Sequence, residues 1–202
     1  MAAETADVLV IGAGAAGLAA ARELAARGFD VAVLEARGRI GGRIYSRRLP
    51  SLGTPIELGA EFVHGKSPDV WQIIEDARLT THEVAGEPWC RHGGRLAPCE
   101  RLLSRMDAFL DRMSGVPTDR SFREFLEHDG RDAPPELRAR ALAYVEGFNA
   151  ADAARISVRW LAESRKADEE IEGYRAYRIL EGYGELVRHL AEPRGANRAR
   201  LH

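Results

Sequence analysis

Residues 7–43 read D-V-L-V-I-G-A-G-A-A-G-L-A-A-A-R-E-L-A-A-R-G-F-D-V-A-V-L-E-A-R-G-R-I-G-G-R, and the fold follows from how this stretch divides. Val8 to Ile11 form an unbroken apolar, largely β-branched run, which predicts a strand buried on both faces. Gly12, Gly14 and Gly17 follow at once in G-x-G-x-x-G spacing. An Ala/Leu-rich helix then runs to about Arg27, Gly28 supplies its stop, and Val31 to Leu34 make a second buried strand ending at Glu35. Gly12 permits the tight turn out of the strand, Gly14 with Ala15 lets a pyrophosphate approach the backbone, and Gly17 lets the helix pack close to the sheet. The helix N-terminus offers free N–H groups and a positive dipole end to phosphates. Glu35, at the tip of the second strand, is placed to accept hydrogen bonds from ribose hydroxyls. A bare β-α-β unit would need the glycines only for turns and packing. Strand, helix, second strand and acid in register favour a dinucleotide site in a Rossmann-like α/β domain.

The rest of the composition narrows the classes. At 202 residues with 45% apolar side chains, the chain can bury a core, and a net charge of −2 gives no electrostatic reason for a nucleic-acid or membrane-surface partner. No apolar run is long enough to span a bilayer. Cys90 and Cys99 show neither metal spacing nor a disulfide framework, so two reduced thiols in a cytoplasmic protein are expected. His82, Trp89, Cys90 and His92 match no standard ligand spacing, and no metal site is expected.

After Glu35 come Ala36, Arg37 and the loop Gly38-Arg39-Ile40-Gly41-Gly42-Arg43. Paired glycines flanked by guanidinium groups can lie against a phosphate and neutralise it, where a solvated basic turn is the plainer alternative. The L-E-A-R-x-R-x-G-G-R pattern following a Rossmann unit resembles the FAD-dependent amine oxidases, the monoamine and polyamine oxidases. The same start occurs in carotenoid desaturases and protoporphyrinogen oxidase. The resemblance implies FAD, with Glu35 on the adenosine ribose and Gly42 and Arg43 along the cofactor. An NAD-dependent dehydrogenase fits less well, because G-G-R after the ribose acid is a flavin-family feature.

Ile56-Glu57-Leu58-Gly59-Ala60-Glu61-Phe62-Val63-His64-Gly65 resembles the E-L-G-A-x-(aromatic)-x-H-G signature of polyamine-oxidase-like members. That likeness implies that Gly59, Ala60, Glu61 and Phe62 neighbour the flavin and that His64 borders the substrate cavity. The family often carries Thr-Trp where Glu61-Phe62 stands here. The implied activity is oxidation of an amine to an imine by FAD, with oxygen returning the flavin to its oxidised state and hydrogen peroxide released. The family's lysine near the flavin has no counterpart at Lys66 or Lys166.

Four amphipathic helical segments follow, Glu100–Ser114, Ser121–His128, Pro134–Phe148 and Ser157–Ala167, with Ser121 and Glu124 as a capping box. Ser67–Arg78 reads as a further helix and Thr80–Ala97 as a hairpin region. The sequence thus divides into an N-terminal part of the FAD domain (1–66), a mainly helical partial substrate domain (67–172) and a return to the FAD domain (173–202). The family resemblance implies a longer enzyme, so this chain is expected to stop in mid-fold. A second chain or a dimer partner would then complete it. The alternative is a non-catalytic FAD-binding remnant.

Overall fold

The computed structural model describes residues 5–86, 89–92, 94–98, 100–192 and 199–201. In chain order the elements are β1 Val8–Ile11, α1 Ala15–Ala26, β2 Val31–Leu34, β3 Ser46–Arg47, β4 Ile56–Glu57, β5 Val63–His64, α2 Pro68–Asp76 and β6 Thr81–Glu83. They continue with β7 Trp89–His92, β8 Arg95–Pro98, α3 Glu100–Asp111, α4 Phe122–His128, α5 Pro135–Phe148, α6 Val158–Glu170, β9 Ala176–Ile179, α7 Tyr183–Ala191 and β10 Ala199–Leu201. Two compact units result: residues 1–84 with 173–202, and residues 85–172.

The first unit is built on a parallel sheet in the order β1-β2-β10, with Val8 opposite Val31 and Ile11 opposite Leu34. The end of the chain thus returns to this sheet as a strand beside β2. Val31 and Val33 of the central strand are fully buried, and the apolar stripe Leu18, Ala21 and Ala25 of α1 packs with them. Leu186, Val187 and Leu190 of α7 join the same core. A separate three-stranded sheet, β5-β9-β6, brings the end of the E-L-G-A segment beside the return strand, Val63 opposite Tyr177 and Glu83 also opposite Tyr177.

Three expectations change. Strand β1 is not buried on both faces: Val8 and Val10 face the core, while Leu9 is 56% and Ile11 84% exposed. Leu34 at the end of β2 is also exposed, so among the described residues helix covers one face of this sheet. Residues 67–84, read as part of the helical domain, pack in the first unit, because Ile74 of α2 enters its core and β6 pairs with β9. Cys90 is disulfide-bonded rather than a free thiol. The chain's other cysteine, Cys99, lies outside the described residues, as does Gly93 in the expected hairpin turn.

The second unit holds the hairpin β7-β8 and helices α3 to α6. Phe122 and Phe125, both fully buried, stack at 5.7 Å and anchor a core with Leu110, Met113, Val145 and Val158. The capping box forms: Ser121 Oγ accepts the Glu124 N–H, and the Glu124 carboxylate accepts the Ser121 N–H at 2.8 Å. Asp119 ties the start of α6 to this turn, accepting from Ser157 Oγ at 2.8 Å and from the Arg159 N–H at 3.1 Å.

Candidate functional site

The glycine loop is shaped by backbone geometry alone. The Gly12 N–H donates to Leu34 O at 2.7 Å, so the turn leaves β1 while still tied to β2. Gly12 has φ +100°, a conformation in which a side chain would be strained. Gly17 is closed in, since a Cβ there would come within 2.0 Å of Gly12 O. Gly14 is open: its φ is −76°, and a Cβ would meet nothing within 4 Å. Helix α1 starts beside it with no side-chain cap and no acid in its first turn. Its first N–H groups are thus left for an external acceptor, the arrangement that binds anions at helix N-termini.

Glu35 closes the loop from the other side. One carboxylate oxygen accepts the Ala13 N–H at 2.8 Å and the other the Arg37 N–H at 3.0 Å. The Ala13 contact, followed by that to Arg37, holds this carboxyl below the usual glutamate range. Ala36, Arg37 and Arg43 are exposed. Arg39 instead turns inward, with its guanidinium 4.4 Å over the Tyr45 ring and bonded to the carbonyls of Ile40 and Ile44.

The sequence motifs are joined into one ribbon. Gly14 bridges Gly41, and the Gly41 N–H donates to Ala13 O at 2.8 Å. Gly42, at φ +58°, lies so close to Gly14 that an added Cβ would stand 3.4 Å from its Cα. From there Arg43 O accepts the Ala60 N–H at 3.0 Å, and Tyr45 O accepts the Leu58 N–H at 2.8 Å. Gly59 must be glycine for this approach, because a Cβ would come within 2.0 Å of Arg43 O. The structure therefore brings Gly12, Gly14, Ala15, Gly17, Glu35, Gly42, Arg43, Gly59 and Ala60 into one continuous backbone-lined run.

Glu61, Phe62 and His64 continue it onto the β5-β9-β6 sheet. Phe62 and His64 meet edge to face at 6.1 Å, and His64 is exposed opposite Ala176.

Two participants were missed by sequence reasoning. Glu57 does not face the run; one oxygen accepts the Tyr183 N–H at 2.8 Å and the other accepts from Ser46 Oγ, which itself takes the Gly184 N–H at 2.7 Å. Together they cap α7, which explains an acid at the head of E-L-G-A. Arg178 pairs with Glu61 and lies 5.2 Å over the Phe62 ring. No local pattern reveals it, since the partners are 117 residues apart. Among the described residues no group of three or more His, Cys, Asp or Glu could hold a metal ion, and no helix is long and apolar enough to cross a membrane.

Known proteins share sequence and fold with this chain. Residues 15–145 match the family model described as flavin containing amine oxidoreductase. The chain is 31% identical to "Probable polyamine oxidase 4" of Arabidopsis thaliana over 92% of its own length and 42% of that protein's. It is 42% identical to putrescine oxidase of Kocuria rosea over a shorter stretch, 38% of this chain and 16% of that protein. Among solved structures, the cyclohexylamine oxidase of Brevibacterium oxydans IH-35A superposes with a TM-score of 0.71 at 22% identity, covering 93% of this chain and 49% of that one. The chain spans about half the length of the relatives it matches.

Proposed function

Since the chain belongs to the flavin-containing amine oxidoreductase family, whose cofactor is FAD, we propose that it forms the FAD-binding part of an oxidase that converts a small-molecule amine to an imine. The observation that carries this reading is the open Gly14 beside an uncapped helix start, with Glu35 across the loop. The residues present fit the cofactor: free N–H groups and the exposed Arg37 and Arg43 suit a pyrophosphate, and a carboxylate suits a ribose.

FAD, when bound, supplies the acceptor for the hydride equivalent taken from the carbon beside the amine nitrogen. The chain's own residues bind and orient. Gly14 and Ala15 present backbone N–H groups to the phosphates, and Arg43 and Arg37 offset their charge. Glu35 accepts from the ribose hydroxyls. Gly59 and Ala60, with Glu61 and Phe62, lie along the flavin, and His64 borders the substrate. The second unit is proposed to belong to the substrate domain. No nucleophile or paired carboxylate is required from these residues. Cytoplasmic location is proposed with this.

Titration of the purified chain with FAD, followed by quenching of flavin fluorescence, tests the proposal; a peroxide assay with amines tests turnover. A chain that takes up no FAD overturns the reading.

One observation favours a second reading, in which the chain acts with a partner polypeptide. Leu9, Ile11 and Leu34 are exposed on one face of the sheet, and burying such side chains is worth about 1.5–3 kcal/mol each. We propose that polypeptide equivalent to the relatives' uncovered half lies there. The isolated chain running as a well-behaved monomer that oxidises amines would refute this.

A further inference from the structure

One exposed face of the β5-β9-β6 sheet carries side chains from three strands. Phe62 and His64 come from the β5 side, Arg178 from β9, and His82 stands opposite Arg178 on β6. His64, Arg178 and His82 are all exposed on it. The Glu61 carboxylate beside them is engaged by Arg178. The same guanidinium covers the Phe62 ring, whose edge meets His64. A carboxylate neutralised in this way does not attract a second cation, and the guanidinium beside it repels one. The Glu61–Arg178 pair is therefore internally compensated, and it lies against the Phe62 ring.

We propose that Arg178 is a specificity-determining residue. By occupying Glu61, it biases the site toward an amine whose non-reacting part is uncharged, such as an alicyclic or aralkyl monoamine, over a diamine. The inference rests on the reading of Glu61 and Phe62 as neighbours of the flavin.

The pair is partly exposed, the Arg178 side chain 53% and Glu61 36%, so the effect is modest. Freeing one carboxylate and removing one cation at such a surface changes the affinity of a second ammonium by about fivefold.

The test uses the full chain loaded with FAD. Amine binding is read from the change in flavin absorbance on titration with cyclohexylamine and, separately, with 1,4-diaminobutane. Wild type is expected to favour the monoamine. Arg178→Gln is expected to shift the ratio toward the diamine by about fivefold, Arg178→Lys to keep the wild-type ratio, and Arg178→Gln combined with Glu61→Gln to lose the gain. A purely structural role would weaken both amines alike. Equal ratios in wild type and Arg178→Gln, including no response to either amine in both, overturn the proposal while FAD uptake upholds the flavin reading. Failure of every form to bind FAD overturns the flavin reading and the proposal with it.

Discussion

Substituting the two glycines of the loop separately should divide stability from cofactor affinity. In Gly17→Ala the new Cβ would stand 2.0 Å from Gly12 O, 3.2 Å from Gly12 C and 3.4 Å from a Val10 methyl. The obstacle is backbone, so no side chain can swing away, and relief needs roughly 1 Å of separation between α1 and the turn. That movement would loosen Leu18, Ala21 and Ala25 from the buried β2 valines. Overpacking of this kind costs about 3 kcal/mol at the upper end of its usual range. Alanine recovers about 1 kcal/mol of helix propensity. The net loss of about 2 kcal/mol corresponds to a fall in Tm of about 4–8 °C for a chain of this size.

Gly14→Ala differs in every term. Its backbone angles suit alanine, and the Cβ points into open space. Stability should change by less than about 1 kcal/mol. FAD affinity should fall at least tenfold, since losing one charge-assisted hydrogen bond to a phosphate is worth about 1.5–3 kcal/mol. Thermal melts read by circular dichroism and FAD titration, both on each variant, give the comparison. A Gly17→Ala protein as stable as wild type would refute the packing argument. Unchanged FAD affinity in Gly14→Ala would show that the open space is not where the cofactor lies.

The remaining expectations concern single contacts. Phe122→Ala removes a fully buried ring stacked on Phe125 and should cost about 3–5 kcal/mol in urea unfolding of the second unit. Glu57→Ala leaves the Tyr183 N–H without its acceptor and frees Ser46, so about 1–3 kcal/mol should be lost from the first unit, seen as faster hydrogen exchange at the start of α7. The Glu35 carboxyl is lowered in the folded chain, so its stabilising contribution is present above the ordinary glutamate value and lost as pH falls through the lowered one. Glu35→Gln should therefore flatten part of the stability loss below about pH 4.5, measured by denaturation at a series of pH values.

How much of this was legible in the sequence depended on the range of the interaction. The glycine loop, α1 and the capping box at Ser121 are set by residues within a few positions of one another, and the sequence placed them well. The joining of Gly42–Arg43 to Gly59–Ala60 was not read from the sequence, because a hydrogen bond from Ala60 to Arg43 O leaves no periodic trace. Arg178 was missed for the same reason, at greater separation. The burial of β1 was misjudged for a different one. An apolar strand states that both of its faces can be buried, but which elements cover them is a property of the assembled sheet, and here helix lies on one side.

Glu35 shows why a structural and a ligand-binding role need not compete. Each of its oxygens already takes one backbone N–H, from Ala13 and from Arg37. An ionised carboxylate offers about four acceptor sites, so roughly two remain for ribose hydroxyls. The two backbone bonds fix the carboxylate's direction before any sugar arrives, and they fix it relative to Gly14, because Ala13 also accepts the Gly41 N–H through its carbonyl. A ribose bound at Glu35 would then stand in register with a phosphate at the helix start without further ordering of the loop. Removing the charge should accordingly weaken FAD binding by more than the loss of sugar contacts alone, as one of the two backbone N–H groups loses its acceptor and the side chain its fixed direction.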